Sequence, residues 1–209
     1  LTEAYVKRGI PEQRIAPVGV PLPAAWFRAE ERADARALLD LPQGVPCYFI
    51  PYAADPAAAA LALLAQMKGD DGRVCVLAPD GAPPRSPFVA RFSGELRAVV
   101  VAPEDPLPLY HTACDAMLCA PSGALSAAAA VAGVPLVHLP PADEFEAETA
   151  RFFSSRGMSL AGESYAEAAA LALALAKDGA LREQMRLARE GVCDAGAAER
   201  VARRLHEGS

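Results

Sequence analysis

The sequence predicts a doubly wound, mostly parallel α/β sheet with helices on both faces. One observation is a compact unit in which the apolar run 116–120 leads into the turn 121–123. A helix of small residues follows, stops at Gly133, and gives way at once to a second apolar run, 135–139. Strand, turn, helix and strand in this order form a βαβ unit, which builds parallel sheets. The other observation is that short apolar runs alternate with helical patterns along most of the chain.

The alternation gives the expected elements in order. The predicted strands cover residues 46–52, 73–78, 96–102, 116–120, 135–139 and 158–161. The predicted helices cover residues 2–8, 29–39, 55–68, 86–92, 106–114, 123–133, 144–156, 164–177, 180–190 and 195–205. Asp55 and Ser164 have the residue type and position of helix N-caps. In such a sheet, ligands bind outside the carboxyl ends of the strands, where the strand order reverses.

Composition restricts the classes of function. The chain has 209 residues, 53% of them hydrophobic, and a net charge of -6. An acidic chain without a basic run is a poor candidate for nucleic-acid binding. No apolar run reaches the ~18 residues of a membrane span, and no signal peptide is recognised. We therefore expect one core in a cytoplasmic protein.

The cysteines and histidines favour no metal site. None of the five cysteines has CxxC spacing, and most lie in apolar segments, as small core residues of a reducing compartment do. The three histidines have no further ligands at metal spacing, so we predict neither a metal nor a cofactor. His138 ends a predicted strand at the ligand-binding edge, where it could face a substrate or be a satisfied rim residue.

The turn 121–123 is the best candidate for a ligand site. The helix that follows it presents unpaired N–H groups and a positive dipole end, which suit an anion such as a diphosphate. Ser122 could cap that helix, and Gly123 would let a ligand approach the backbone closely. The alternative is an ordinary βα turn without a ligand.

The acidic residues from Asp143 to Glu148 fit a solvated helix start better than a catalytic cluster.

The order of these segments resembles the carboxyl-terminal, nucleotide-sugar-binding half of a GT-B glycosyltransferase. The group it resembles contains the lipid II-forming peptidoglycan glycosyltransferase and the diacylglycerol sugar transferases. The segments that carry the resemblance are VKRGIPEQRIAPVGVPLPAAWF, DLPQGVPCYFI, LYHTACDAMLCAPSGALSAAAAVAGVPLV, EAETARFFSSRGMSL and KDGALREQMRLARE. They cover nearly the whole chain; their order is specific, whereas no single motif among them is.

The resemblance implies a role for each matching position. Ser122, Gly123 and Ala124 would lie at the diphosphate, and Ala128 stands where the family has a ribose-binding Glu. The backbone of Val101 and Ala102 would read the base. Phe145, Glu146 and Thr149 would lie near the sugar. His138 is a further candidate donor-binding residue because of its position at the end of a predicted strand, independently of the resemblance.

Several of these positions depart from the family pattern. Ser122 replaces a Gly, Ala128 replaces the ribose-binding Glu, and Phe145 and Thr149 replace a Gln and an Asn. The loop 52–55 has no glycine and carries Asp55. A lost hydroxyl contact costs about 1–3 kcal/mol. Either the donor is bound by other means, or the activity has been lost.

The resemblance also implies an organisation and a reaction. Residues 1–22 would be the end of a preceding helix and the interdomain passage, 23–190 a Rossmann-like nucleotide-sugar-binding domain, and 191–209 a closing helix. An amino-terminal acceptor domain, absent here, would be the partner and would provide any peripheral association with the inner face of the membrane. The reaction would transfer a hexose from a nucleotide-diphosphate sugar, UDP foremost, and this domain alone would be inactive. The alternatives are a degenerate binding or regulatory module, and a nucleotide-sugar epimerase or hydrolase.

Overall fold

The computed structural model describes residues 2–27, 31–69, 72–78, 87–92, 94–190 and 195–207. Within them, six strands form one sheet in the order β3-β2-β1-β4-β5-β6, and every neighbouring pair is parallel. The strands are β1 (Cys47–Ile50), β2 (Arg73–Leu77), β3 (Ala98–Val101), β4 (Ala116–Cys119), β5 (Leu136–His138) and β6 (Leu160–Ala161). The doubly wound sheet predicted from the sequence is confirmed.

Helices connect the strands and cover both faces of the sheet. They are α1 (Thr2–Lys7), α2 (Arg32–Leu38), α3 (Pro56–Gln66), α4 (Pro87–Ala90), α5 (Leu107–Ala113), α6 (Gly123–Ala132), α7 (Glu144–Ser154), α8 (Tyr165–Lys177), α9 (Gly179–Arg189) and α10 (Ala197–Glu207), with short 3-10 turns at Glu12–Arg14 and Ala24–Phe27. Each matches a predicted helix to within a few residues. Ala29, Ser86 and Cys193 lie outside the described residues.

The centre of the sheet is buried because helices cover both of its faces. All four residues of β1 and of β4 are buried, which is typical of inner strands of parallel sheets. On one face, α3 and α8 pack against each other through alanines, whose small side chains let the helices approach closely. The Gln66 side chain links the two helices by donating to the Ala166 carbonyl at 2.8 Å.

A partly buried charge network joins the amino ends of β1 and β4. The Asp115 carboxylate accepts hydrogen bonds from the Arg36 guanidinium at 2.6 Å, from Arg32 at 2.9 Å and from the Cys47 backbone N–H at 2.8 Å. Arg36 also donates to the carbonyls of Ala113 and Val45. Because these groups come from α2, β1 and the segment before β4, the network fixes the edge of the sheet opposite to the predicted ligand site.

Among the described residues, no helix combines the length and the apolar character that crossing a bilayer requires.

Candidate functional site at the switch point of the sheet

The strand order reverses between β1 and β4, and the loops that leave these strands lie side by side. The Ala120 backbone N–H donates to the Tyr52 carbonyl at 2.9 Å, which ties the turn after β4 to the loop after β1. The chain leaves β1 towards β2 and β3 on one side, and it leaves β4 towards β5 and β6 on the other. This divergence opens the crevice in which doubly wound sheets bind ligands.

The amino end of α6 is the best-formed anion-binding feature of this crevice. Ser122 is its N-cap, as predicted, and its hydroxyl accepts from the Leu125 N–H at 3.5 Å, which is a long and weak capping bond. Gly123 is the first helical residue, and a Cβ added there would meet no atom within 4 Å. The helix ends at Gly133, which has a φ of 69°. The space beside Gly123 at the first turn of α6 is therefore open.

The two neighbouring helix starts at the same edge differ from α6 in charge. Asp55 caps α3 by accepting from the Ala58 N–H at 2.9 Å, and Asp143 caps α7 by accepting from the Glu146 N–H at 2.8 Å. A carboxylate at a helix N-terminus offsets the positive end of the dipole. Among these three helix starts, α6 alone has an uncharged cap, so it is the one most favourable for an anionic ligand.

Glu146, expected near the sugar, has a structural task in the first turn of α7. Its Oε2 accepts from the Ala142 N–H at 2.8 Å, which with the Asp143 cap forms a reciprocal capping arrangement. The carboxylate also lies close to the end of β4. Burial and, to a lesser extent, the Glu146 charge raise the pKa of the Cys119 thiol well above its ordinary value. Glu146 thus borders the crevice, while one of its carboxylate oxygens caps the amino end of α7.

The other two predicted sugar-side residues occupy the same helix. Phe145 lies in the first turn of α7 with 70% of its surface exposed. The Thr149 hydroxyl donates to the Phe145 carbonyl one turn back at 2.9 Å. That hydroxyl proton is therefore unavailable to a ligand in this arrangement, whereas the Phe145 ring is free to pack against one.

The positions expected to contact the base and the ribose are largely enclosed. Val101 is fully buried, and its carbonyl accepts from the Ala78 N–H at 2.8 Å. The Ala102 N–H donates to the Asp105 carboxylate at 2.9 Å. Ala128 is buried within α6. The structure therefore places Ser122, Ala124 and their neighbours at the crevice. The backbone groups that were expected to bind the nucleotide base instead form hydrogen bonds within the protein.

His138 does not lie at the rim of the crevice. Its side chain is fully buried, Nε2 lies 3.0 Å from the Ser126 hydroxyl, and Nδ1 lies 3.2 Å from the Ser159 hydroxyl. The Phe153 ring packs edge-on against it. Burial lowers the pKa of His138 to about 4, so the imidazole is neutral at pH 7. His138 is therefore a residue whose ring nitrogens both have partners within the protein, which was the alternative to facing a substrate. It lies in the core, however, and not at the rim of the site.

The structure also reveals a cluster that the sequence analysis missed. The thiols of Cys47, Cys75 and Cys114 converge in the core, with all three sulfurs within 4.8 Å of one another. The cysteines lie 28 and 39 residues apart along the chain, so spacing alone gives no signal. Only the pairing of β1 with both β2 and β4 brings them together.

No protein-family model matches the chain, and no curated protein matches its sequence. Solved structures do resemble it. The UDP-GlcNAc 2-epimerase from Neisseria meningitidis bound to UDP-GlcNAc superposes with a TM-score of 0.71 at 13% identity, over 99% of this chain and 59% of that one. HepE from Anabaena in complex with UDP and glucose gives 0.67 at 14% identity, over 98% and 60%.

The C-terminal CMP-Kdo binding domain of WaaA from Acinetobacter baumannii gives a TM-score of 0.62 at 12% identity, over 77% of this chain and 95% of that domain. The chain spans less than two thirds of the first two structures and matches nearly the whole of this isolated domain. At these identities the likeness establishes the fold, a six-stranded parallel Rossmann-like sheet.

Proposed function

We propose that the chain is the donor-binding domain of a GT-B glycosyltransferase, and that it holds a nucleotide-diphosphate sugar at the switch point between β1 and β4. The observation that carries this proposal is the amino end of α6, which is open and uncharged between two helix starts that Asp55 and Asp143 neutralise. A diphosphate there would accept from backbone N–H groups that the 3.5 Å Ser122 bond satisfies only weakly.

The remaining groups suit the other parts of such a donor. The exposed Phe145 ring offers an apolar surface, and Glu146 lies beside it at the crevice. The solved structures that resemble the chain include proteins bound to UDP, UDP-GlcNAc and a UDP-fluoroglucose, which favours UDP as the first nucleotide to test. The acceptor and the catalytic base would belong to a second, amino-terminal domain, because transfer requires both reactants to be positioned together.

A nucleotide-sugar epimerase is the second candidate, since epimerases are among the structural neighbours. Epimerisation within this domain would need its own acid or base at the crevice. The carboxylates of Asp55 and Glu146 at this edge are engaged in capping α3 and α7. Of the histidines, His111 and His138 are buried. Transfer with an external base therefore fits the described residues better.

Titration calorimetry of this chain with UDP, GDP and dTDP tests the proposal. We expect one of them to bind with a Kd in the micromolar range, which corresponds to about -8 kcal/mol at 1 μM. Gly123→Ala should weaken that binding, because its methyl group would enter the space next to the N–H groups while meeting no protein atom. Gly179→Ala is the matched control, since Gly179 is also the first residue of a helix and its added Cβ meets only Arg182 at 3.9 Å.

Absence of binding by all three nucleotides near millimolar concentration would refute donor binding and favour the degenerate, partner-binding module. Equal weakening in Gly123→Ala and Gly179→Ala would locate the nucleotide elsewhere.

A further inference from the structure

Three thiols from distant parts of the chain form a closed cluster in the core. Cys47 begins β1, Cys75 lies in the middle of β2, and Cys114 lies two residues before the start of β4. The Cys47 sulfur lies 3.8 Å from the Cys75 sulfur and 3.8 Å from the Cys114 sulfur. All three side chains are buried, with at most 1% of their surface exposed.

We propose that Cys47, Cys75 and Cys114 form a three-coordinate site for a soft, thiophilic cation, Cu(I) foremost. A metal–sulfur bond of about 2.3 Å places the sulfurs of a planar three-thiolate site about 4.0 Å apart. Two of the observed separations are 3.8 Å and the third is within 4.8 Å. An ion at the centre would thus need shifts of only a few tenths of an ångström from the two closer contacts.

The ligand set selects the ion. Thiolates favour soft cations such as Cu(I), whereas structural zinc sites almost always have four ligands. Within the described part of the chain, no fourth His, Cys, Asp or Glu groups with the three sulfurs. A three-sulfur set without a fourth ligand therefore suits Cu(I) better than Zn²⁺.

A positive charge lies beside the cluster. The Arg36 guanidinium is held there by bonds to the carbonyl that precedes Cys114 and to the Asp115 carboxylate. It would offset part of the negative charge of the coordinated thiolates. On coordination, each thiol would transfer its proton to solvent and its sulfur lone pair to the cation. Because the cluster is enclosed, we expect the ion to enter as the chain folds.

The test is copper binding by the full chain refolded under reducing, anaerobic conditions with Cu(I). A C119A/C193A background leaves the three cluster cysteines as the only thiols. We expect this protein to retain one Cu(I) per chain after passage over a weak chelator, with thiolate-to-copper absorption in the near ultraviolet. The C47A/C75A/C114A variant should retain at least tenfold less. In the otherwise unchanged sequence, Cys114→Ala should lower the retention, whereas Cys119→Ala should not, since Cys119 is an equally buried thiol outside the cluster.

Retention of less than a tenth of an equivalent by the C119A/C193A protein would overturn the proposal, as would equal retention by the variant without the cluster. Retention of Zn²⁺ in place of Cu(I) would overturn the assignment of the ion. A metal-free protein lighter by two hydrogens would identify a disulfide in place of a metal site. Should the triple variant fail to fold, Cys114→Ser alone decides whether the absorption depends on the cluster.

Discussion

Ser122→Asp separates a role in ligand binding from a role in helix capping. Asp is already the N-cap of α3, α7 and α9 in this chain, so the same residue type should be accommodated at α6. The Ser122 capping bond is long, and a carboxylate there would also interact favourably with the helix dipole. We expect the variant to gain about 0.3–1 kcal/mol of stability, which is a rise of up to about 4 °C in Tm.

The same carboxylate should weaken nucleotide binding. A charge about 5 Å from the diphosphate opposes it by about 1–3 kcal/mol per unit charge for an effective dielectric constant between that of water and that of a protein surface. This corresponds to an increase in Kd of about 5- to 150-fold. The expected result is thus a protein that is more stable and binds the nucleotide less tightly.

Calorimetry gives the affinity, and thermal unfolding gives the stability. Ser164→Asp is the matched control, because the Ser164 hydroxyl also caps a helix, α8, which follows β6, and accepts from the Glu167 N–H at 3.1 Å. An unchanged nucleotide affinity in Ser122→Asp, or an equal loss in Ser164→Asp, would refute the placement of the diphosphate at α6.

Three further predictions concern the fold. Arg36→Ala should destabilise the protein by about 1–3 kcal/mol in urea unfolding, because the partly buried Asp115 carboxylate loses its closest cation and the carbonyls of Ala113 and Val45 lose their donor. Arg32→Ala, whose side chain is 43% exposed, should cost less than about 1 kcal/mol, and equal losses would contradict this ranking. Stability should fall as the pH drops from about 6.5 towards 4, because the unfolded chain binds protons that buried His138 and His111, with pKa values of about 4 and about 3, resist; each histidine contributes about 3 kcal/mol at most over this range. His138→Gln should remove about half of that slope, and an unchanged slope would count against it. Gly162→Ala should destabilise by about 1–3 kcal/mol, since its Cβ would lie 2.6 Å from a backbone nitrogen, whereas Gly123→Ala should be close to neutral.

The fold could be predicted because its signals are local. The Asp55, Ser122 and Ser164 caps and the Gly133 stop each act within one turn of their own helix, and the structure confirms them. The apolar runs between these signals give the strands, and alternation with helices gives the parallel sheet. Boundaries shifted mainly at strand ends, where the predicted 158–161 shortens to two paired residues in β6.

The site could be predicted only in part. The direction of a side chain, and whether another protein group already occupies its hydrogen-bonding atoms, depend on contacts between residues that are distant in sequence. His138 does end a strand at the ligand edge, but serines from α6 and from the segment before β6 bind both of its ring nitrogens inside the core. The Ala102 N–H is taken by the carboxylate of Asp105, three residues on. The thiol cluster depends on strand order, which no residue spacing in the sequence reveals.

The distribution of caps along one edge of the sheet bears on whether the crevice still binds a ligand. Stability alone favours a carboxylate at every helix start, and α3 and α7 have one. Between them, α6 has a neutral cap with a 3.5 Å bond, followed by Gly123, which is a poor helix former. Each feature also occurs elsewhere, since Ser164 caps α8 and Gly179 begins α9. At α6 both coincide at the place where the strand order opens a crevice. A bound anion would supply the charge and further hydrogen-bond acceptors at this helix start, which is consistent with ligand binding there.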